Sequence, residues 1–354
     1  MAKDLVLLTG ATGYLGYIIL VDLLKHGYHV RAAVRSMEKA EKVIAAPSIK
    51  EISPSADQLS FALVSNMGSP GAYDEAVTGV KYIIHAAAPI PTWGQGEQDS
   101  DTLERRFIKP SERGVIELLN AAASKAGGTV KRVVMTSTTG AILPVSVVAG
   151  EQLEPSRIWD PEDRTEPTPP PYSSEFQAYA AAKVKALQTS EDFIKTNKPP
   201  FDLITIFPPW IWSRDELVST AKDMLSGSSN AVLLGLLTGE ESDFSMIGNA
   251  AHGQDVARAH VAALNPEVAG NQSFVVIRDI VWEDSIAIAK KSHPGAFADG
   301  RLKAGRRHTI HIKWNTAKTE NQLGLRLQPF EAIVESVVGQ YLELLDAEKR
   351  RVRE

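Results

Sequence analysis

The chain contains no cysteine. That one absence excludes disulfide staples, thiolate metal centres and cysteine nucleophiles together, and it fits a reducing compartment. Long hydrophobic runs are missing too, and none approaches the roughly 18–20 residues of a membrane span. The first apolar stretch, Leu5 to Leu8, stops at Thr9 and Gly10, far short of the apolar stretch of a secretion signal. Nor is there a surplus of positive charge: 38 basic residues face 43 acidic ones, net −5, so no broad field attracts nucleic acid or anionic lipid. The expectation is a cytoplasmic protein with no nucleic-acid or membrane partner. Among eight histidines only His308 and His311 are spaced as a metal-like pair, and no carboxylate cluster accompanies them, so no metal is expected. What is present is an ordinary globular composition, 354 residues with 44% apolar and 23% charged, long enough for two units or for one large domain with a smaller lobe.

The first two-fifths alternates short apolar strands with helical patterns, the rhythm of βαβ units in a parallel sheet covered on both faces. Strands are expected at Leu5 to Thr9, His29 to Arg35, Leu59 to Ser65, Tyr82 to Ala87 and Arg132 to Ser137. A long helix is expected from about Thr102 to Lys125. Glu151 to Pro171, rich in proline and acid, reads as a long surface loop. A helix capped by Ser173 or Ser174 then runs to about Lys195, and Phe201 to Phe207 is another strand. The predicted organisation is an α/β Rossmann-type doubly wound parallel sheet over 1–207, with a late strand near 273–278 returning to it. Residues 208–272 and 279–354 are expected to form a smaller C-terminal substrate lobe with a closing helix from Phe330. Trp93, Trp210 and Trp212 are candidates to line an apolar pocket, or ordinary packing under loops.

Gly10, Gly13 and Gly16 form Gly-x-x-Gly-x-x-Gly between a predicted strand and a predicted helix. Gly10 suits a tight turn, Gly13 admits a ligand close to the backbone, and Gly16 lets the helix pack on the sheet. The N–H groups of Gly13, Tyr14 and Leu15, together with the helix dipole, would face a pyrophosphate. An acid at the end of the second strand would hold a ribose 2′-hydroxyl; here stands Arg35, with Lys39 and Lys42 beyond it, which favours a 2′-phosphate and therefore NADPH.

Tyr179 is the one tyrosine with a lysine four residues on, Lys183, so both side chains share a helical face. An ammonium beside a phenol lowers its pKa toward the operating pH, as an acid serving a carbonyl requires. The strand ending Thr136-Ser137-Thr138-Thr139 places hydroxyls where ligands of open α/β sheets sit.

Together these residues resemble the extended short-chain dehydrogenase/reductases, in the branch of dihydroflavonol reductase, cinnamoyl-CoA reductase and microbial NADPH-dependent aldehyde and ketone reductases. The shared stretches are Thr9 to Gly16, Val30 to Arg35, Ile84 to Pro89, Val134 to Thr138, Tyr179 to Lys183 and Asp255 to His260. The resemblance implies Tyr179 as acid/base, Lys183 holding the nicotinamide ribose and tuning Tyr179, and Thr138 as the third catalytic member, with Ser137 as the competing hydroxyl. It implies cofactor contacts from Gly10, Thr12, Gly13, Tyr14, Leu15, Gly16, Arg35, Lys42, Asn66, Met67, Ala86, Ala87, Tyr179, Lys183 and Pro208, and a structural role for the Asp255 to His260 motif. Two positions depart from the pattern: Asn66 stands where relatives carry Asp, and Ser111 where many carry Asn. The expected activity is reduction of an aldehyde or ketone to an alcohol, by a monomer or homodimer acting on a small-molecule carbonyl. The alternatives are an epimerase/dehydratase or hydroxysteroid-type dehydrogenase, which Arg35 disfavours, and an NADP sensor without turnover, which an intact Tyr179 disfavours.

Overall fold

A computed structural model describes residues 4–91, 98–226 and 228–351. Its centre is a seven-stranded sheet of β1 (Leu5–Thr9), β2 (His29–Val34), β3 (Leu59–Leu63), β4 (Tyr82–His85), β5 (Arg132–Thr136), β6 (Asp202–Phe207) and β7 (Gln272–Val275). Their order is β7-β6-β5-β4-β1-β2-β3, and every pairing is parallel. Strands buried on both faces need continuous apolar sequence, and β4, Tyr-Ile-Ile-His, is buried along its whole length. At the edge, β3 ends on Leu63, which is exposed.

Alternation divides the side chains between two cores. Val6 and Leu8 pack with Ile19, Leu20, Val256 and Phe274 on one face, and Leu7 packs with Ile83, Val115, Leu118 and Leu119 on the other. The chain winds from β1 to β2 and β3 in one direction and resumes at β4 on the opposite side of β1. That reversal opens a crevice at the carboxyl ends of β1 and β4.

Most sequence-predicted elements appear with ends shifted by a few residues. The long helix comprises Ser100–Leu103, a π-turn at Glu104–Ile108 and Lys109–Ser124; such turns recur at functional sites. Ser174 caps the later helix, accepting from the Gln177 N–H, and the helix spans Glu175–Asn197. The closing helix starts where expected and spans Phe330–Arg351. A short helix at Pro47–Ile52 lies where the sequence pattern marks no element. The stretch from Pro208 to Ala250 is more ordered than its irregular pattern suggests, holding the strand Trp210–Trp212 and the helix Asn230–Leu237. With Trp282 and the Phe330–Arg351 helix these build a separate core around Trp212, Leu233, Leu237 and Val337.

Arg132 ties the sheet to a following loop. It is buried and forks onto the Asp202 carboxylate at 2.6 and 2.9 Å, its register partner at the start of β6. The remaining N–H groups donate to the carbonyls of Ala263, Asn265 and Val268. Removing Arg132 strands the three carbonyls and leaves the half-buried Asp202 carboxylate without its partner. Arg132→Met is therefore expected to cost about 3–5 kcal/mol, read as a lowered urea midpoint; a loss under about 1 kcal/mol would contradict this account.

Candidate active site

The glycine turn sits in the crevice. Gly10 adopts φ +83°, and a Cβ there would lie 2.8 Å from the Ala87 nitrogen and 2.9 Å from the Ala86 carbonyl carbon. At Gly16 a Cβ would stand 2.0 Å from the Gly10 carbonyl oxygen, so helix and turn meet backbone to backbone. At Gly13 the nearest atom would be 3.4 Å away, which leaves its outer side open. Gly13 is the N-cap of the Tyr14–Lys25 helix, and no side chain caps that end. A helix N-terminus left in this way favours an anion. Thr12 and Leu15 are half-buried beside it.

At the end of β2, Arg35 is exposed, Lys39 is half-buried and Lys42 exposed on the next helix. Among the described residues none of the three enters an ion pair. Asn66 folds its side chain back to accept from the Gly68 N–H at 3.1 Å. Met67 lies against Gly114, where a Cβ would be 2.2 Å from its methyl group. Pro208 is buried, and its carbonyl accepts from the Thr139 N–H at 3.1 Å. The Gly13 N–H donates to the Gly10 carbonyl at 2.9 Å. What the residues from the glycine turn to Arg35 offer a dinucleotide is close backbone approach, a helix N-terminus that no side chain caps and the unpaired positive charge of Arg35.

Across the crevice, Tyr179 and Lys183 rise from the Glu175–Asn197 helix. Lys183 is 8% exposed, its ammonium 5.9 Å from the centre of the Tyr179 ring and donating to the Thr136 carbonyl at 3.3 Å. Tyr179 packs among Leu103, Phe107 and Ala182. Burial decides both protonation equilibria: it pushes the phenol up to about 12 and the ammonium down to about 8. The phenol thus stands above its ordinary value, opposite to the lowering that the Lys183 spacing suggests, and burial is the cause. His85, at the end of β4, is lowered to about 3 by burial and by the Lys183 charge, so it is neutral. Thr9 Oγ1 shares a hydrogen bond with His85 Nδ1 at 2.9 Å and accepts from the Ala87 N–H at 3.1 Å, locking β1 to the start of the β4 loop.

Two hydroxyls compete at the end of β5. Ser137 is buried, and its Oγ has no hydrogen-bond partner among the described residues; it lines a small cavity of about 20 Å³ with His85, Ser111 and Lys183. Thr138 is half-buried, and its Oγ1 accepts from the Gly140 N–H at 3.3 Å.

Sequence spacing missed the support of this strand end. His260 is fully buried; its Nδ1 faces the Val256 carbonyl at 2.7 Å and its Nε2 the Thr136 hydroxyl at 2.7 Å. Because a carbonyl only accepts, Nδ1 carries the proton and Nε2 accepts from Thr136. Burial lowers His260 to about 4, which keeps that arrangement neutral. The residue whose carbonyl holds Lys183 is thereby fixed by a histidine 124 positions away in sequence.

Trp212 is not a pocket residue: it is fully buried in the second lobe, 5.0 Å from Trp282 edge to face, its N–H donating to the Ser229 carbonyl. Trp210 is half-buried at its side, and Trp93 lies outside the described residues. No group of three metal-ligating side chains gathers among the described residues, and no helix among them is long and apolar enough to cross a membrane.

Similarity to known proteins bears on this geometry. The chain is 37% identical to a ketoreductase of Cercospora nicotianae, CTB6, with 97% of this chain and 96% of that one covered. It is 33% identical to ALT6 of Alternaria alternata, named an NAD-dependent epimerase/dehydratase, over 97% of this chain and 98% of that one. The crystal structure of the yeast methylglyoxal/isovaleraldehyde reductase Gre2 complexed with NADPH superposes with a TM-score of 0.81 at 22% identity, covering 98% of this chain and 99% of that one, a likeness of fold. The sequence profile of the NAD dependent epimerase/dehydratase family matches residues 6–276. A Rossmann sheet, a glycine turn at its switch point and that match along most of the chain lead to one conclusion: the protein belongs to the NAD dependent epimerase/dehydratase family, among the extended short-chain dehydrogenase/reductases.

Proposed function

We propose that this oxidoreductase is an NADPH-dependent carbonyl reductase that converts an aldehyde or ketone to an alcohol. The observation that carries the reading is the convergence of Tyr179 and Lys183 with the ends of β4 and β5, beside a phosphate-type turn and an unpaired Arg35. The ketoreductase relative and the NADPH complex of a protein with the same fold support it. Gly10, Thr12, Gly13, Tyr14, Leu15 and Gly16 would hold the pyrophosphate, Arg35 and Lys42 the 2′-phosphate, Asn66 and Met67 the adenine side, and Ala86, Ala87 and Pro208 the path toward the nicotinamide. A nicotinamide bound there supplies a hydride to the carbonyl carbon.

The remaining steps belong to the chain's own groups. Thr138 holds the carbonyl oxygen through its hydroxyl, being the more accessible of the two candidates, and Tyr179 gives that oxygen its proton. A phenol held near 12 is fully protonated at working pH, and an alkoxide is a far stronger base than a phenolate, so the transfer runs toward the alcohol. Lys183 holds the ribose and stabilises the phenolate left behind. The substrate in this reading is an apolar or aromatic carbonyl compound, polyketide-like, and Phe176, in the first turn of the Tyr179 helix, is an exposed apolar side chain on that helix.

Tyr179→Phe is expected to abolish turnover while changing the NADPH dissociation constant less than about threefold; turnover within about tenfold of the parent would overturn the assignment. Arg35→Ala is expected to weaken NADPH by about 1–3 kcal/mol and leave NADH nearly unchanged; equal weakening in a binding titration would remove the 2′-phosphate argument. Lys183 generates a stability prediction. Unfolded, it keeps its proton to about 10.5, and folded, only to about 8. Below pH 8 both states are protonated and the burial penalty is full; between 8 and 10.5 the unfolded state binds the extra proton, so stability rises with pH. Lys183→Met should therefore be inactive yet about 1–3 kcal/mol more stable at about pH 7, with the gain shrinking toward about pH 10. A variant destabilised at neutral pH would contradict this.

A further inference from the structure

The phosphate-type turn and the substrate lobe are joined by one side chain. Tyr14 is the first residue of the helix that follows Gly13, and its hydroxyl crosses into the other lobe. It donates to the Ser213 carbonyl at 3.0 Å, lies 2.9 Å from Ser213 Oγ and stands 3.3 Å from Asn230 Oδ1. The receiving residues are fixed in turn. Ser213 is 2% exposed and Asn230 fully buried; the Asn230 amide donates to the Ser213 carbonyl at 2.7 Å, and the Ser213 N–H donates to Asn230 Oδ1 at 3.3 Å. The Ser213 hydroxyl occupies the space that the missing side chain of Gly253 leaves, since a Cβ there would come within 2.3 Å of its Oγ.

Asn230 and Ser213 stand at the ends of elements that form the second lobe. Asn230 opens the helix Asn230–Leu237, which supplies Leu233, Leu234 and Leu237 to the lobe core, and Ser213 follows the strand Trp210–Trp212. Three contacts from a single phenol therefore connect the backbone that would face a pyrophosphate with the start of a substrate-lobe helix and the end of a substrate-lobe strand. Burial, reinforced by the Asp215 charge, lifts the Tyr14 phenol far above its ordinary value against the lowering effect of its Ser213 and Asn230 bonds. The link is thus a constant donor across working pH. A hydroxyl held by two buried, mutually bonded residues transmits displacement because none of the three can move without leaving a polar group unpaired.

We infer that Tyr14 is a positioning residue that couples the two lobes: seating of NADPH on the Gly13–Leu15 turn orders the Ser213 and Asn230 ends of the substrate lobe through the Tyr14 hydroxyl. The inference rests on the cofactor reading above. The coupling is of the kind that shifts populations between two arrangements, with the effect bounded by the difference in bonding between them.

Hydrogen exchange of the full-length protein with and without saturating NADPH tests it, in the parent, in Tyr14→Phe and in Ser213→Ala. In the parent, NADPH slows exchange both at 10–16 and at 229–237. In Tyr14→Phe, which keeps the backbone N–H, slowing at 10–16 persists while slowing at 229–237 drops at least about fivefold; Ser213→Ala, which removes the hydroxyl contact and keeps the carbonyl that accepts from Tyr14, gives a smaller drop in the same direction and stands in should the first variant not fold. If NADPH slows 229–237 as strongly in both variants as in the parent, the coupling is wrong. A purely structural link overturns it as well, and has its own signature: faster exchange at 229–237 by the same factor with and without NADPH. If NADPH slows neither segment of the parent, the cofactor reading itself fails and the coupling falls with it. A parent in which only 10–16 is slowed keeps the cofactor reading and rejects the coupling.

Discussion

A buried ammonium is the constraint around which this protein is arranged. Lys183 is a charged group with one hydrogen bond among the described residues, to the Thr136 carbonyl. Burying a charge is costly unless the surroundings compensate, and these compensate only in part, which is why the ammonium gives up its proton near 8. The neighbouring groups follow from it. His85, itself buried, stays neutral with the Lys183 charge beside it, and Tyr179, pushed up by burial, keeps its proton. Thr136 must present its carbonyl in one position, and the bond from its hydroxyl to His260 supplies that rigidity from the far side of the sheet.

The rest of the architecture brings a second charged site to the same place. Parallel strands deliver all their carboxyl ends to one edge, and the reversal of winding between β1 and β4 leaves a gap there. Closing that gap requires backbone to touch backbone, at Gly10 against Ala86 and Ala87 and at Gly16 against Gly10. The outcome is a helix N-terminus that no side chain caps, facing the cleft in which Lys183 is buried. Positive potential at both walls suits a dinucleotide lying between them. Glu216 adds a further bond between lobes, accepting from the Tyr17 hydroxyl at 2.6 Å and from Ser48 at 2.7 and 2.9 Å.

What the amino-acid sequence reveals of this site is whatever depends on neighbours in the chain. The glycine turn is a short local pattern, and Tyr179 and Lys183 are one helical turn apart, so both are legible, as is the sheet from its run of apolar strands. The supports are not, because they join distant residues: Thr136 with His260, Tyr14 with Asn230, Arg132 with Asp202 and Val268. The Asp255 to His260 motif is visible as a structural signature, but nothing in its spacing says that its histidine faces the end of β5. Trp212 illustrates the converse limit, since its sequence neighbourhood leaves a pocket wall and ordinary packing equally open. In three dimensions it belongs to the apolar core of the second lobe, packed with Leu233 and Trp282. The direction of the Tyr179 shift escapes the sequence for a similar reason, since the i,i+4 spacing announces the lysine charge and says nothing of how little water surrounds the phenol.

Membership of the NAD dependent epimerase/dehydratase family leaves net reduction and internally balanced chemistry as the two outcomes to separate, and the fate of the hydride separates them. The most direct measurement incubates the purified protein with NADPH deuterated at nicotinamide C4 and a panel of aromatic and aliphatic aldehydes and ketones, following absorbance loss and the label in the product. The account predicts net oxidation of NADPH with deuterium on the carbinol carbon of an alcohol. Tight NADPH binding with no net oxidation on any carbonyl compound, or an alcohol without the label, would contradict it.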